Sequence, residues 1–328
     1  ADMHFPIDAE EAERLDLSLD VFEALVADDS LFANGTAGGW TGFGLAIQAY
    51  QKRGVPMVDW TARLARKYDR KFFVRLVKGA YWDTEIKLSH VGGFKDFPVF
   101  TRKLATDVSY LACAEKMLAA DDAIYPAFAT HNAYTIGAIK AMAGAKPLEF
   151  QRLHGMGEDI YGALAQMEGN NRTNVRIYAP TGTHKDLLAY LVRRLLENGA
   201  NSSFVNRMAD AEVPASALAT DPVADMAQVE PYRNPTIPLP ADIFPGRKNS
   251  AGIDLSDPLV LEPLQERLAA LDERHWTAEP TFMSGAEAEI APINKPHDLS
   301  AEVGTRRDTL DFEVEEAITR AEAIQPGW

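Results

Sequence analysis

The sequence has a single cysteine, Cys113, among its 328 residues. One cysteine cannot form an internal disulfide, and its place in the apolar stretch "SYLACAEKML" favours a small core residue over a reactive thiol. Such cysteine usage suits the reducing cytoplasm, where we expect the protein. No apolar run approaches the roughly 18–20 residues that a membrane-spanning helix needs, and no secretory signal is recognisable at the start.

Basic residues are scarce relative to acidic ones. The sequence has 33 lysines and arginines against 48 aspartates and glutamates, a formal net charge of −15. This balance argues against nucleic acid or an anionic membrane surface as the main partner of the chain. The histidines are scattered, no HExxH motif occurs and no nucleophile elbow is present, so we expect neither a metal site nor a Ser-His-Asp triad.

Short apolar runs alternate with amphipathic stretches along the first 200 residues. Candidate strands lie at 4–8, 42–50, 71–80, 123–132, 148–156 and 175–180, and candidate helices at 9–28, 57–69, 101–120, 133–144, 157–168 and 184–198. This alternation predicts an α/β fold, a parallel sheet with helices packed outside it. A doubly wound sheet and an incomplete eight-stranded barrel both satisfy the pattern.

Polar residues at the carboxyl ends of the candidate strands favour the barrel. They are Asp8, Gln48, Lys78, His131, Asn132, Gln151 to His154 and Tyr178. A barrel collects its active site at that rim from every strand, whereas an open sheet concentrates it at one switch point. The barrel is predicted to occupy 1–210, with a surface loop at 32–39. A proline-rich linker with a short helix (257–273) follows at 211–280, and a new unit begins at 281–328.

The stretch "FFVRLVKGAYWD" (72–83) places two cations, Arg75 and Lys78, on an apolar strand. A buried strand does not hold two cations unless something compensates them. Three interpretations are open. Both cations face an anionic ligand such as a phosphate or a reduced flavin, or Lys78 is the Schiff-base lysine of an aldolase. In the third, both side chains extend between helices and reach solvent.

Helix 184–198 has two faces of different character. Leucines and Val192 form an apolar arc, and Tyr190, Arg193, Arg194 and Glu197 form the opposite one. The polar arc is either a solvated face or a clamp for an amino-acid carboxylate. The strand ends "ATHN" (129–132) and "QRLHGMG" (151–157) are likewise either self-satisfied turns or ligand contacts at the rim.

Five longer motifs carry a resemblance to a known family. They are "RLVKGAYWDTEIK", "FTRKLATDVSYLACAEKML", "FATHNAYTI", "FQRLHGMGEDIYGAL" and "IYAPTGTHKDLLAYLVRRLLENGANSSFVNR". Together, over about 5–210, they resemble the proline dehydrogenase domain of the bifunctional proline utilization A flavoproteins. The tail resembles the start of the second enzyme of that family, the pyrroline-5-carboxylate dehydrogenase.

The resemblance implies a distorted eight-stranded barrel that binds FAD and oxidises L-proline to Δ1-pyrroline-5-carboxylate, a step of proline catabolism to glutamate. It also implies a membrane quinone as electron acceptor, peripheral association of the full-length protein with the inner membrane, and NAD as cofactor of the second enzyme. Here the first two strands, with the substrate-binding lysine of the family, are missing. We therefore expect a barrel that is open on one side and this chain alone to be poorly active.

Site residues are carried over position by position from the matching motifs. Asp8 and Arg75 are implied as catalytic. Substrate-binding residues are implied at Leu76, Ala80, Tyr81, Tyr178, Tyr190, Arg193 and Arg194. FAD contacts are implied at Gln48, Arg75, Lys78, Gly79, Ala80, Thr101, Thr130, His131, Asn132, Gln151, Glu197, Ser203 and Phe204.

Overall fold

In the computed structural model the chain forms two compact units, 1–256 and 257–328. The structure describes residues 3–32, 40–170, 172–199, 214, 220–281 and 284–327, with the side chains of 193–199 outside the description. The predicted loop at 32–39 lies almost wholly outside the described residues.

Six parallel strands form the sheet of the first unit. They are β1 (Phe5–Ile7), β2 (Phe43–Gln48), β3 (Phe72–Val77), β4 (Ile124–Ala129), β5 (Glu149–Leu153) and β6 (Asn174–Tyr178). Each strand pairs with the next one in chain order, so all six carboxyl ends lie along one edge. The predicted strands and the incomplete-barrel architecture are thereby confirmed.

Helices alternate with the strands along the chain, and several of them pack apolar side chains on the outer face of the sheet. The helices are α1 (Leu15–Val26), α2 (Gly54–Lys67), α3 (Trp82–Gly92), α4 (Lys103–Ala119), α5 (Ala133–Ala143), α6 (Glu158–Glu168) and α7 (His184–Gly199), followed by the short α8 (Pro222–Met226). Helix α3 is absent from the sequence prediction. Its fully buried side chains are polar, Glu85 and Ser89, so it lacks the apolar period that predicts a helix.

Side chains of each strand alternate between the helix-facing core and the inner face of the sheet. On β3, Phe72, Val74 and Leu76 are buried in the helix-facing core, whereas Arg75 points to the inner face. The inner face curves: His4, just before β1, stacks on Phe73 with ring centroids 4.2 Å apart, and its Nδ1 lies 2.7 Å from Nη2 of Arg176 on β6. Contact between the first and last strands makes the sheet a half-barrel.

The segment after α8 packs on the first unit, where the sequence predicted a linker. The backbone N–H of Asn234 donates to Oγ1 of Thr101 at 2.9 Å, and the N–H of Gly252 donates to the carbonyl of Gly93 at 3.0 Å. Arg102 donates to the carbonyls of Pro231 and Arg233. We call this segment, 230–252, the strap.

The second unit begins before the predicted boundary at 281, because helix α9 (Pro258–Asp272) belongs to it. It continues with β7 (Trp276–Ala278), β8 (Ile290–Lys295), β9 (Asp298–Arg307) and α10 (Asp311–Ile324), and its sheet order is β7-β9-β8. Buried Glu313 accepts hydrogen bonds from Arg307, Ser284 and the N–H of Leu310. The Arg307 guanidinium and these further donors lower the pKa of Glu313 far below its ordinary value.

Tyr110 of α4 joins the carboxyl ends of two strands and provides a test of this fold. Its buried hydroxyl donates to the carbonyls of Leu76 and Ala129, at 3.2 and 3.1 Å. Because Tyr110→Phe leaves both carbonyls without this donor, we expect it to lower the free energy of unfolding by about 1–2 kcal/mol. Chemical denaturation measures the change. Tyr68→Phe is the control, because the hydroxyl of this half-buried tyrosine makes one long contact, 3.4 Å to Glu23, and we expect it within about 0.5 kcal/mol of wild type. An equal loss in both variants would contradict the structural role of Tyr110.

Candidate functional site

Arg75 is the centre of a polar cluster at the carboxyl edge of the half-barrel. Its Nε donates to Oε1 of Gln151 at 2.8 Å, and its Nη1 donates to Oδ1 of Asp8 at 3.3 Å. Its guanidinium carbon lies 4.8 Å from the centre of the Tyr178 ring, within the range of a cation–π contact. The side chain is only 16% exposed. Residues from β3, β5, β6 and the end of β1 therefore converge on one cation.

Behind Gln151 lies an ion pair whose carboxylate is buried. Nε2 of Gln151 donates to Oε1 of Glu149 at 2.8 Å. The Glu149 carboxylate also accepts two hydrogen bonds from Arg176, at 2.7 and 2.8 Å. The Glu149 side chain is 4% exposed, so the carboxylate is desolvated and compensated by its partners.

The loop after β1, which carries Asp8, is fixed from two sides. Gln48 at the end of β2 donates to the carbonyl of Glu10 at 2.7 Å, and its Oε1 accepts from the N–H of Ala80 at 3.3 Å. From α3, Oε1 of Glu85 accepts the N–H of Ala12 at 2.7 Å. These contacts set the position of the loop relative to β2 and α3.

Lys78 and Gly79 follow β3 at the same edge. The Lys78 ammonium binds the Asp107 carboxylate of α4, so the two predicted cations have different partners. Gly79 has a φ of +133°, and a Cβ there would lie 2.4 Å from the ring of Tyr50. This turn therefore requires glycine, and the close contact with Tyr50 accounts for it without a ligand.

The "ATHN" strand end is hydrogen-bonded within the protein. Oγ1 of Thr130 accepts from the N–H of Asn132 at 3.2 Å, and Oδ1 of Asn132 caps α5 by accepting from the N–H of Thr135. Nε2 of His131 accepts from the N–H of Leu153 at 3.2 Å, which assigns the proton of a neutral ring to Nδ1. The sequence left two interpretations of this segment open, a turn whose polar groups bond within the protein and a set of ligand contacts. These bonds correspond to the first.

The other predicted site residues either have partners elsewhere or lie outside the described residues. Leu76 points away from Arg75 into the helix-facing core, because neighbouring residues of a strand lie on opposite faces. Its predicted place in a substrate pocket is not supported by this geometry. Thr101 is occupied by the strap through Asn234. Tyr190 is half-buried on α7. The side chains of Arg193, Arg194 and Glu197, together with Ser203 and Phe204, lie outside the described residues.

Leu153 is a residue that the sequence analysis missed. It is buried on β5 and stands opposite Tyr178 in the register of β5 and β6. Counting by two from Gln151 along the strand places its side chain on the inner face. The same alternation identifies Glu149 two residues before Gln151. The sequence analysis assigned both Glu149 and Leu153 only to the candidate strand 148–156 and gave neither a role in the site.

Comparison with known protein families identifies the family to which the chain belongs. The family model described as proline dehydrogenase matches residues 1–207. The chain belongs to the proline dehydrogenase family. Arg75, Gln151 and Tyr178, which meet in the half-barrel, all lie within the matched proline dehydrogenase region.

Individual proline dehydrogenase relatives match beyond this region. The bifunctional protein PutA of Salmonella typhimurium is 46% identical over 341 residues, covering 100% of this chain but 25% of its own length. A crystal structure of a variant of proline utilization A from Bradyrhizobium japonicum is 52% identical, covers 84% of this chain and 28% of its own, and has a TM-score of 0.76. That of proline utilization A from Bdellovibrio bacteriovorus, inactivated by N-propargylglycine, is 29% identical, covers 99% of this chain and 33% of its own, and has a TM-score of 0.82. The chain thus spans about a quarter of the length of the curated relatives it matches.

Glu85 gives the loop that carries Asp8 a pH-dependent stability. Burial raises the pKa of Glu85 above its ordinary value of 4.5, and the nearby Glu11 and Glu13 carboxylates add to this. The folded chain therefore holds this proton more tightly than the unfolded chain. We expect the free energy of unfolding of the wild type, relative to Glu85→Gln, to fall as the pH rises above 4.5. Denaturation of both proteins at about pH 4 and about pH 7 measures the change.

Asp28 provides a control of opposite sign. Hydrogen bonds from the Ser30 hydroxyl and N–H lower the pKa of Asp28 below its ordinary 3.8. The stability of the wild type relative to Asp28→Asn should therefore be nearly constant above pH 3.8 and fall as the pH is lowered below that value, the opposite direction to Glu85. A difference between wild type and Glu85→Gln that is constant or grows with pH would contradict the assignment for Glu85.

Proposed function

We propose that the protein containing this chain oxidises L-proline to Δ1-pyrroline-5-carboxylate with FAD as the electron acceptor. The observation that carries the proposal is the convergence of Asp8, Gln151 and Tyr178 on Arg75, at the carboxyl edge of a half-barrel within the proline dehydrogenase region. The carboxyl edge is where barrel enzymes assemble their active sites.

The donor set at this edge fits a flavin. Arg75 and Lys78 place two cations there in a chain of net charge −15, and Lys78 is paired with Asp107. The side-chain amides of Gln48 and Gln151 donate to Glu10 and Glu149 and hold this edge in place. When bound, FAD supplies a ring that accepts two electrons and a proton from a substrate and becomes more negative. Hydrogen-bond donors that are already fixed beside the flavin favour its reduction, because they need not reorganise as the negative charge develops.

The residues of the chain are assigned roles from these contacts. Arg75 stabilises negative charge on the flavin, and Asp8, which follows β1 at the same edge, orients the guanidinium. Tyr178, with Leu153 opposite it, forms the wall of the proline pocket. Gln48, Lys78, Gly79 and Ala80 lie along the cofactor. Arg193 and Arg194 of α7 bind the proline carboxylate, a proposal that rests on the sequence motif.

The wider proposal concerns the full-length protein. A membrane quinone accepts the electrons, the protein associates peripherally with the inner membrane, and an NAD-dependent second enzyme completes the conversion to glutamate. Family membership supports these steps only through the bifunctional relatives. Among the described residues, each helix is too short or too polar to cross a bilayer.

The activity can be tested on the natural full-length protein. We expect purified protein to show flavin absorbance, and L-proline to bleach it and to reduce a quinone-like dye. Glycine, which has no pyrrolidine ring, is the control substrate. N-propargylglycine, which inactivated the Bdellovibrio bacteriovorus relative, should cause time-dependent loss of activity. Bound flavin that L-proline leaves oxidised would contradict the proposal.

A Schiff-base aldolase that uses Lys78 is the alternative from the sequence analysis. The ion pair of Lys78 with Asp107, and membership of the proline dehydrogenase family, do not favour it. Borohydride trapping of a keto-substrate on Lys78, in protein without flavin absorbance, would reverse this conclusion.

Arg75→Met tests the centre of the site. The variant removes a desolvated, hydrogen-bonded cation, so we expect kcat/KM for L-proline to fall by at least about 100-fold, equivalent to roughly 3 kcal/mol. Steady-state kinetics with a dye acceptor measures this fall. Arg66→Met is the control, because Arg66 also makes two side-chain hydrogen bonds, both to Asp122, but does so at the exposed surface. Equal kinetics in the two variants would remove Arg75 from the active site.

A further inference from the structure

Glu149 is a buried carboxylate that the proposed chemistry does not use directly. It lies on the inner face of β5, two residues before Gln151. Its two oxygens accept three hydrogen bonds, two from Arg176 and one from Gln151. Because the Glu149 carboxylate is buried, loss of these partners would be destabilising.

This carboxylate decides which way the amide of Gln151 points. An ionised carboxylate only accepts hydrogen bonds, so the NH₂ group of Gln151 must face Glu149. The amide oxygen is then directed to the other side, where it accepts from Nε of Arg75 at 2.8 Å. Hydrogen-bond chemistry therefore fixes the orientation of Gln151.

The arrangement fixes Arg75 while leaving its charge largely uncompensated. The acceptor at its Nε is a neutral amide, whereas the negative charge of Glu149 is neutralised by Arg176. The carboxylate that does approach Arg75, Asp8, is 76% exposed and 3.3 Å away, so solvent screens it. A carboxylate at position 151 would have cancelled the charge that the site presents.

We propose that Glu149 is a positioning residue, which sets the place and charge of Arg75 through the amide of Gln151. The consequence for catalysis rests on the proposed function, but the geometric part does not. In Glu149→Gln the single amide oxygen of residue 149 pairs with the Arg176 guanidinium, so its NH₂ group faces Gln151. Gln151 then turns its own oxygen towards that NH₂ group, and the turned amide presents a donor to the donor Nε of Arg75. The Arg75 side chain would then move away.

The crystal structure of Glu149→Gln in the natural full-length protein tests the geometric part. We expect the separation of Arg75 Nε and the Gln151 side-chain amide to exceed about 3.5 Å, the limit of a hydrogen bond. Glu168→Gln is the matched control, since Glu168 forms a similar pair with Lys140 away from Arg75. An unmoved Arg75 in Glu149→Gln, or an equal movement in the control, would overturn the proposal.

A double-mutant cycle tests whether Glu149 acts through Gln151. Gln151→Leu removes the amide and leaves the pair of Glu149 with Arg176 in place. In that background, Glu149→Gln should add less than about a twofold change to kcat, whereas alone it should lower kcat about tenfold or more. Multiplicative effects of the two substitutions would show independent action and contradict the proposal. If Glu149→Gln does not fold, Glu149→Asp, which keeps the charge on a shorter arm, takes its place in both experiments.

The midpoint potential of the bound flavin distinguishes positioning from general destabilisation. We expect it to be lower in Glu149→Gln than in wild type and unchanged in Glu168→Gln, because only the first displaces a cation from the site. Failure of L-proline to reduce the flavin of the wild type would end the proposed function. It would leave the structural test of Glu149 and Arg75 valid, so the two failures are distinguishable.

Discussion

Parallel pairing of six strands in chain order is the constraint on which the rest of the first unit depends. Because each strand pairs with the next in the same direction, every carboxyl end lies on one edge. Since side chains alternate along a strand, a shift of one residue would exchange the two faces. Arg75, Gln151 and Tyr178 meet only because three strands keep both the direction and the register. The helix-facing core, with its fully buried phenylalanines, makes any other register costly.

A continuous chain of side-chain hydrogen bonds crosses the inner face of the half-barrel. Arg176, Glu149, Gln151, Arg75 and Asp8 each bind the next, and they come from β6, β5, β3 and the end of β1. Hydrogen-bonded networks of this kind specify one arrangement when every member is satisfied. The network therefore holds together strands that are distant in the order of the sheet.

The sequence predicted those features that follow from local pattern. Apolar runs located the six strands, and the polar residues after them located the edge at which Asp8, Gln151 and Tyr178 meet. Helix α3 escaped prediction because its buried residues, Glu85 and Ser89, are polar and give no apolar period.

The sequence was less informative about which face of the sheet a side chain occupies and which residues it contacts. Leu76 was chosen for the substrate pocket and Leu153 was passed over, although the alternation from Arg75 and Gln151 assigns each to its face. Glu149 could not be identified as a partner of Gln151, because its role depends on Arg176, a residue that only the folding of β6 brings near.

The strap and the residues beneath it contribute different kinds of group to three of their hydrogen bonds. In the bonds of Arg102, Thr101 and His90, the first unit contributes side chains, and the strap contributes backbone carbonyls or an N–H. Backbone groups are the same in almost every amino acid, so these contacts recognise the path of the strap and not its composition. Substitutions in the strap would leave these three bonds in place. They would matter at Asn249, whose side-chain amide donates to the carbonyl of His90, and at Ile237 and Leu239, which pack against a buried apolar cluster.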